Sequence, residues 1–123
     1  MNTNAELVRD YVETVWNRGR TELAAKYLAE DLVQHNPQLP NGSAPLVAFV
    51  DGLRQQLPSG RFDIRRMAAD GDLVFVHSLF TAADADAGTV VVDVFRVADG
   101  VITEHWDVRE PVPPTTASGN DVI

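Results

Sequence analysis

Near residue 60 the apolar residues stop recurring at helical spacing and begin to alternate. One segment cannot serve both periods, so the chain divides into a helical N-terminal half and a sheet-forming C-terminal half. Before the switch, Leu7, Val8, Tyr11, Val12, Val15 and Trp16 form one stripe, which ends at Gly19. Thr3 and Glu6 have the spacing of a capping box at its start. A second, shorter helix is predicted from Thr21, with Leu23, Ala24, Tyr27 and Leu28 inward. Asp31 to Val33 then lead into His35-Asn36-Pro37, where the proline disfavours helical geometry at Asn36. A third helix carries Leu46, Phe49, Val50, Leu53 and Leu57, with Ser43 as its expected cap.

After the switch, four strands are predicted: Arg61–Ala69, Leu73–Ala82, Thr89–Val97 and Val101–Val108. Asp70-Gly71-Asp72 and Ala98-Asp99-Gly100 read as tight hairpin turns, and Ala83–Gly88 as a longer loop. Pro111, Pro113 and Pro114 end the sheet. The expected fold class is therefore α+β: three N-terminal helices packed on a curved antiparallel sheet that can enclose a pocket. A single domain is expected over residues 1–114, with 115–123 as a flexible tail.

Composition narrows the function. Eighteen acidic against ten basic side chains give a formal charge of −8, which argues against nucleic-acid or anionic-membrane partners. The chain has no cysteine, so disulfides, thiolate catalysis and Cys-based zinc sites are excluded. The N-terminus lacks a signal-peptide layout, and no apolar run approaches the roughly 18–20 residues of a membrane span. A cytoplasmic protein is expected.

Strand alternation sorts the chemically capable residues by face. Thr103, His105 and Asp107 share one face of the last strand, opposite Ile102, Glu104, Trp106 and Val108. Val91, Asp93 and Phe95 share a face in the preceding strand. His77 lies with Leu73, Phe75 and Leu79. An ionisable group in such apolar stretches costs free energy unless it is paired or used. Asp107, His105, Asp93 and His77 are therefore the candidate proton-transfer group. Competing readings give each residue a structural role, with Asp93 paired to Arg65, Arg66 or Arg96. Tyr11, Trp16 and Phe95 read first as packing residues that can also line a cavity. A zinc site from His35, His77 and His105 lacks any short ligand spacing, and no metal is expected. Ser43, Ser59 and Ser78 do not sit in a nucleophile elbow, and no glycine-rich phosphate loop is present.

Two blocks carry a resemblance. The stretch Tyr27-Leu28-Ala29-Glu30-Asp31-Leu32-Val33-Gln34-His35-Asn36-Pro37, followed by Pro40-Asn41-Gly42, is similar to the segment after the second helix in the SnoaL-like, or polyketide-cyclase-like, branch of the NTF2-like superfamily. The ending Val92-Asp93-Val94-Phe95-Arg96-Val97, Asp99-Gly100-Val101-Ile102 and Glu104-His105-Trp106-Asp107-Val108 resembles that branch more closely. The likeness spans roughly residues 5 to 112, and it implies an NTF2-like cone. It also implies a cofactor-free lyase or isomerase of polyketide cyclase or aldol-condensation type, acting on a carbonyl-containing, fairly apolar small molecule. By the same resemblance Asp107 is the candidate base, with His105, Asp93 and His77 assisting. His35 and Asn36 would stand at the pocket wall or mouth, beside Phe95, Trp16 and Tyr11. An isomerase of the ketosteroid design is disfavoured, because Asn36 stands where that design resembles a base. Two alternatives stay open: a non-catalytic binding module, and an epoxide hydrolase. The latter needs an Asp–Arg–Asp arrangement, for which no arginine is evident between Asp93 and Asp107. The resemblance further implies a homodimer through the outer sheet face, with Trp106 as an anchor.

Overall fold

The computed structural model describes residues 3–123. Thr3 and Glu6 form the reciprocal capping box, and helix α1 runs Asn4–Tyr11. The same cylinder continues as a π-helical stretch, Val12–Asn17. That widened turn lies where Tyr11, Val12 and Trp16 line a cavity, and such turns recur at functional sites. The second helix is a 3₁₀ segment, Thr21–Lys26. Helix α2 spans Ser43–Gln56, but Gly42 occupies its cap and no side chain caps it. The expected Ser43 cap is thus corrected: the loop reaches the helix in a backbone conformation with φ 103°, which Gly adopts without the Cβ penalty.

Five strands form one sheet in the order β1-β5-β4-β3-β2. They are β1 Leu28–Gln34, β2 Arg61–Asp70, β3 Leu73–Thr81, β4 Thr89–Ala98 and β5 Val101–Pro111. The four sequence-predicted strands are β2 to β5, paired antiparallel as expected. In the β4–β5 hairpin, Asp99 and Gly100 have φ 53° and 78°, the positive values that a tight type I′ turn requires. The added strand is β1, which pairs parallel with β5. Its charged, non-alternating sequence hides it. Leu28 and Leu32 are buried while Glu30 between them is exposed, and the pairing with β5 shifts register between Leu28 and Val33.

The core lies between the helices and the concave face of the sheet. Val8, Tyr11, Val15, Leu32, Val50, Val74, Val76 and Ile102 are essentially inaccessible. Ile102 corrects the expected facing of β5. Arg96 pairs with Glu104 and Val97 with Ile102, so Thr103 is an extra residue and alternation restarts across it. Without that bulge, Ile102 would share the outer face with Glu104. Among the described residues no helix is long and apolar enough to cross a membrane.

Candidate active site

Asp93 and Asp107 stand directly opposite each other on β4 and β5, with Phe95 opposite His105 one step along the same face. Two carboxylates at paired cross-strand positions repel unless a proton or cation lies between them. Here the side chains of His105, Asp93 and Asp107 keep only 10%, 14% and 6% of their accessibility, so solvent screens little of that repulsion. His105 Nε2 lies 2.8 Å from Asp93 Oδ1 and 4.0 Å from Asp107 Oδ2. Burial pushes the Asp93 carboxyl above the usual carboxylate range, opposed by the His105 hydrogen bond and charge.

The end of β1 and the residues just after it hold this group from the side. Asn36 Oδ1 accepts the Gln38 backbone N–H at 2.8 Å, which fixes the orientation of its amide. Its Nδ2 then donates to both Asp107 oxygens, at 3.1 and 2.8 Å. Gln34 Oε1 lies 2.7 Å from His105 Nδ1. Arg109 Nη2 is 3.6 Å from Asp107 Oδ2, on a half-exposed side chain.

These groups form the polar end of a narrow cavity, with about 30 Å³ open to the centre of a water-sized sphere inside about 450 Å³ of empty space that counts its open mouth. Its apolar walls include Val12, Trp16, Leu39, Leu46 and Phe62. Tyr11 and Phe95 also line it, packed edge to face. Tyr11 Oη accepts the Trp16 indole N–H at 2.8 Å, and burial pushes its phenol well above the ordinary range. The donor atoms of Asp93, His105 and Asp107 lie within 4.8 Å of one another. Their closest contacts are hydrogen bonds to each other, Asn36 and Gln34.

The structure thus brings together Asp93, His105, Asp107 and Asn36, with Tyr11, Trp16 and Phe95 as wall. It does not bring His77. Val76 pairs with Asp93 and His77 with Val92, so His77 lies on the outer face, where its Nδ1 meets the Arg66 guanidinium. His35 is also displaced from its expected place. It lies outside the cavity, bonded to Glu104 at 2.7 Å and stacked on Trp106 with ring centroids 4.8 Å apart. The three histidines therefore do not converge. Nor does Asp93 pair with the arginines considered for it: Arg65 bonds Asp63, and Arg96 bonds Asp72 and Glu104.

Sequence reasoning missed Gln34 and Arg109. Reading 32–36 as a strand would have put Leu32, Gln34 and Asn36 on one face. Continuing the β5 alternation one step beyond Asp107 would have found Arg109.

The SnoaL-like domain model matches residues 8–105. A comparison with curated proteins finds no match. Among solved structures, a candidate polyketide cyclase from Acidithiobacillus ferrooxidans is 23% identical, with TM-score 0.70 over 89% of this chain and 90% of that one. A SnoaL-like polyketide cyclase from Agrobacterium tumefaciens is 11% identical, with TM-score 0.75 over 89% and 93%. An NTF2-like protein of unknown function from Cytophaga hutchinsonii is 16% identical, with TM-score 0.75 over 90% and 93%. At these identities the likeness concerns the fold, and chemistry must be argued from the site.

Proposed function

The chain belongs to the SnoaL-like domain family, and from that starting point we propose that it is a cofactor-free lyase or isomerase. Its substrate would be a small, fairly apolar carbonyl compound held in the cavity. The observation that carries this reading is the cross-strand pair Asp93–Asp107, with His105 beside it, at the polar end of an otherwise apolar cavity.

Two carboxyl groups in different surroundings suit an acid and a base. Asp107, held by the Asn36 amide, takes the proton from the carbon alpha to the substrate carbonyl. The C–H electron pair moves into the enolate, and the proton held by His105 and Asp93 stabilises the developing oxyanion. Returning the Asp107 proton to another carbon gives isomerisation. Attack of the enolate carbon on a second carbonyl of the same molecule breaks that C=O π bond and closes a ring, and the Asp107 proton passes to the new alkoxide oxygen. No electron acceptor is needed in either case.

Deuterium uptake at the alpha carbon of carbonyl compounds in D₂O, followed by NMR, tests the reading without knowledge of the product. Catalysed exchange that disappears in Asp107→Asn, with the fold intact, is the expected result. No exchange across diketones and aromatic ketones would remove the acid/base role and leave a binding module.

Arg109 favours a second reading. With Asp93 and Asp107 it places two carboxylates and a guanidinium on one cavity wall. Asp107 would take a proton from an attacking water while protonated Asp93 supplies one to the opening epoxide oxygen. Diol formation from a panel of simple epoxides tests this.

The outer sheet face supports pairing with a second copy. Phe75, Val94 and Trp106 are aligned across β3, β4 and β5. Phe75 is 40% and Val108 67% exposed, apolar side chains that a second copy would cover. Sedimentation should give a dimer that Val108→Asp weakens; a monomeric wild type would remove the proposal.

A further inference from the structure

Gln34 carries a peculiarity that its neighbours do not share. Its side-chain nitrogen is one of two buried side-chain polar atoms, with Ser78 Oγ, that have no hydrogen-bond partner among the described residues. A buried unpaired donor is costly. Turning the amide over would not help, because Gln34 Oε1 also accepts the Asn36 backbone N–H at 3.2 Å. A backbone N–H can only donate, so the reversed amide would set donor against donor.

That constraint passes to the histidine. With Gln34 Oε1 fixed as the acceptor, His105 Nδ1, 2.7 Å away, must carry a hydrogen. His105 Nε2, 2.8 Å from Asp93 Oδ1, is left with one of two arrangements. Either it is a bare nitrogen facing a carboxylic acid, or it is an N–H facing a carboxylate. Both contain one proton between the same two atoms. Around them stand Asp107, with Arg109 beyond it, on β5, Gln34 on β1 and the Tyr11 phenol of α1.

We propose that Gln34 is a positioning residue that holds the His105 proton on Nδ1, so that Nε2 and Asp93 share a single mobile proton facing the cavity. The orphaned Gln34 nitrogen is the consequence of keeping its oxygen aimed at both Asn36 and His105. Asn36 completes the device: its backbone orients Gln34, while its side chain orients Asp107. The two ends of the proton path are thereby set by residues two apart in the chain, Gln34 at the end of β1 and Asn36 just beyond it. The catalytic consequence rests on the acid/base reading above, whereas the protonation pattern does not.

Long-range ¹H–¹⁵N correlation of the histidine rings, recorded on the full chain between about pH 5 and pH 9, tests it. In the wild type, His105 should keep a protonated Nδ1 throughout, with changes confined to Nε2. A neutral His105 with bare Nδ1 and protonated Nε2 would overturn the proposal. Gln34→Met removes the acceptor and should lower the ratio of Nδ1–H to Nε2–H forms by about fivefold, the equivalent of one ordinary hydrogen bond. Gln34→Glu keeps an acceptor oxygen and should restore the Nδ1–H form. An unchanged ratio in a folded Gln34→Met would also overturn it, and the wild-type spectrum decides the matter even if that variant does not fold. Nδ1–H without deuterium exchange would sink the acid/base reading and leave the tautomer standing. Exchange with the Nε2–H tautomer would do the reverse.

Discussion

Glu104 and His105 are consecutive residues of β5 that take part in the same kind of contact on opposite faces of one sheet. Outside, Glu104 bonds His35 at 2.7 Å and Arg96 at 3.1 Å, and His35 stacks on Trp106. Inside, His105 bonds Asp93 at 2.8 Å. The His35 and Arg96 hydrogen bonds hold Glu104 below the usual carboxylate range, whereas burial pushes Asp93 above it. An imidazole–carboxylate contact thus favours the charged carboxylate where water and a guanidinium share it, and disfavours it where burial dominates. The proposed proton transfer uses only the inner pair.

The sharpest way to break that comparison is through activity. Asp107→Asn should reduce alpha-proton exchange by about 10²- to 10⁴-fold, the usual weight of a general base. Glu104→Gln, one face away, should leave the rate within twofold. Equal losses would mean that neither cluster is chemically special.

Stability should separate the faces next. His105→Leu leaves Asp93 buried without its partner and should cost about 2 kcal/mol in urea unfolding, moderated because Asp93 can protonate. His35→Leu, on a half-exposed ring, should change stability little. A larger loss from His35 would show that the outer network supports the fold.

The pH dependence carries opposite signs. Asp93, raised on folding, makes a contribution that is full below the ordinary carboxylate value and declines as pH rises through its folded value. Asp93→Asn should therefore flatten the loss of stability above about pH 4. Glu104, lowered on folding, makes a contribution that is present above the ordinary value and is lost as pH falls through its folded value. Glu104→Gln should make the acid limb of the stability profile slightly shallower, the smallest of these effects. Matching slopes in the two variants would erase the distinction between the faces.

Much of the inner cluster was legible beforehand because alternation is local. Asp93, His105 and Asp107 could be assigned faces from a period of two, and Phe95 with them. His77 misled because that period sorts faces within a strand without saying which face of β3 aligns with which of β4. The pairing of Val76 with Asp93 turns His77 outward. His35 misled because β1 itself was unread, so nothing indicated that His35 and Asn36 would part to opposite sides.

The sequence by itself determined the switch to strands after residue 60, the hairpin turns and the antiparallel order of β2 to β5, but not the strand β1 inside the helical half. Periodicity, proline positions and the Asp99-Gly100 turn all act over a few residues. Only the tertiary structure decided that β1 lies parallel to β5. That pairing sets Gln34 and Asn36, each 71 residues distant, against His105 and Asp107. It also decided that Thr103 bulges so that Ile102 fills the core. Contacts so far apart along the chain follow from closing the whole sheet over the helices, which no local spacing encodes.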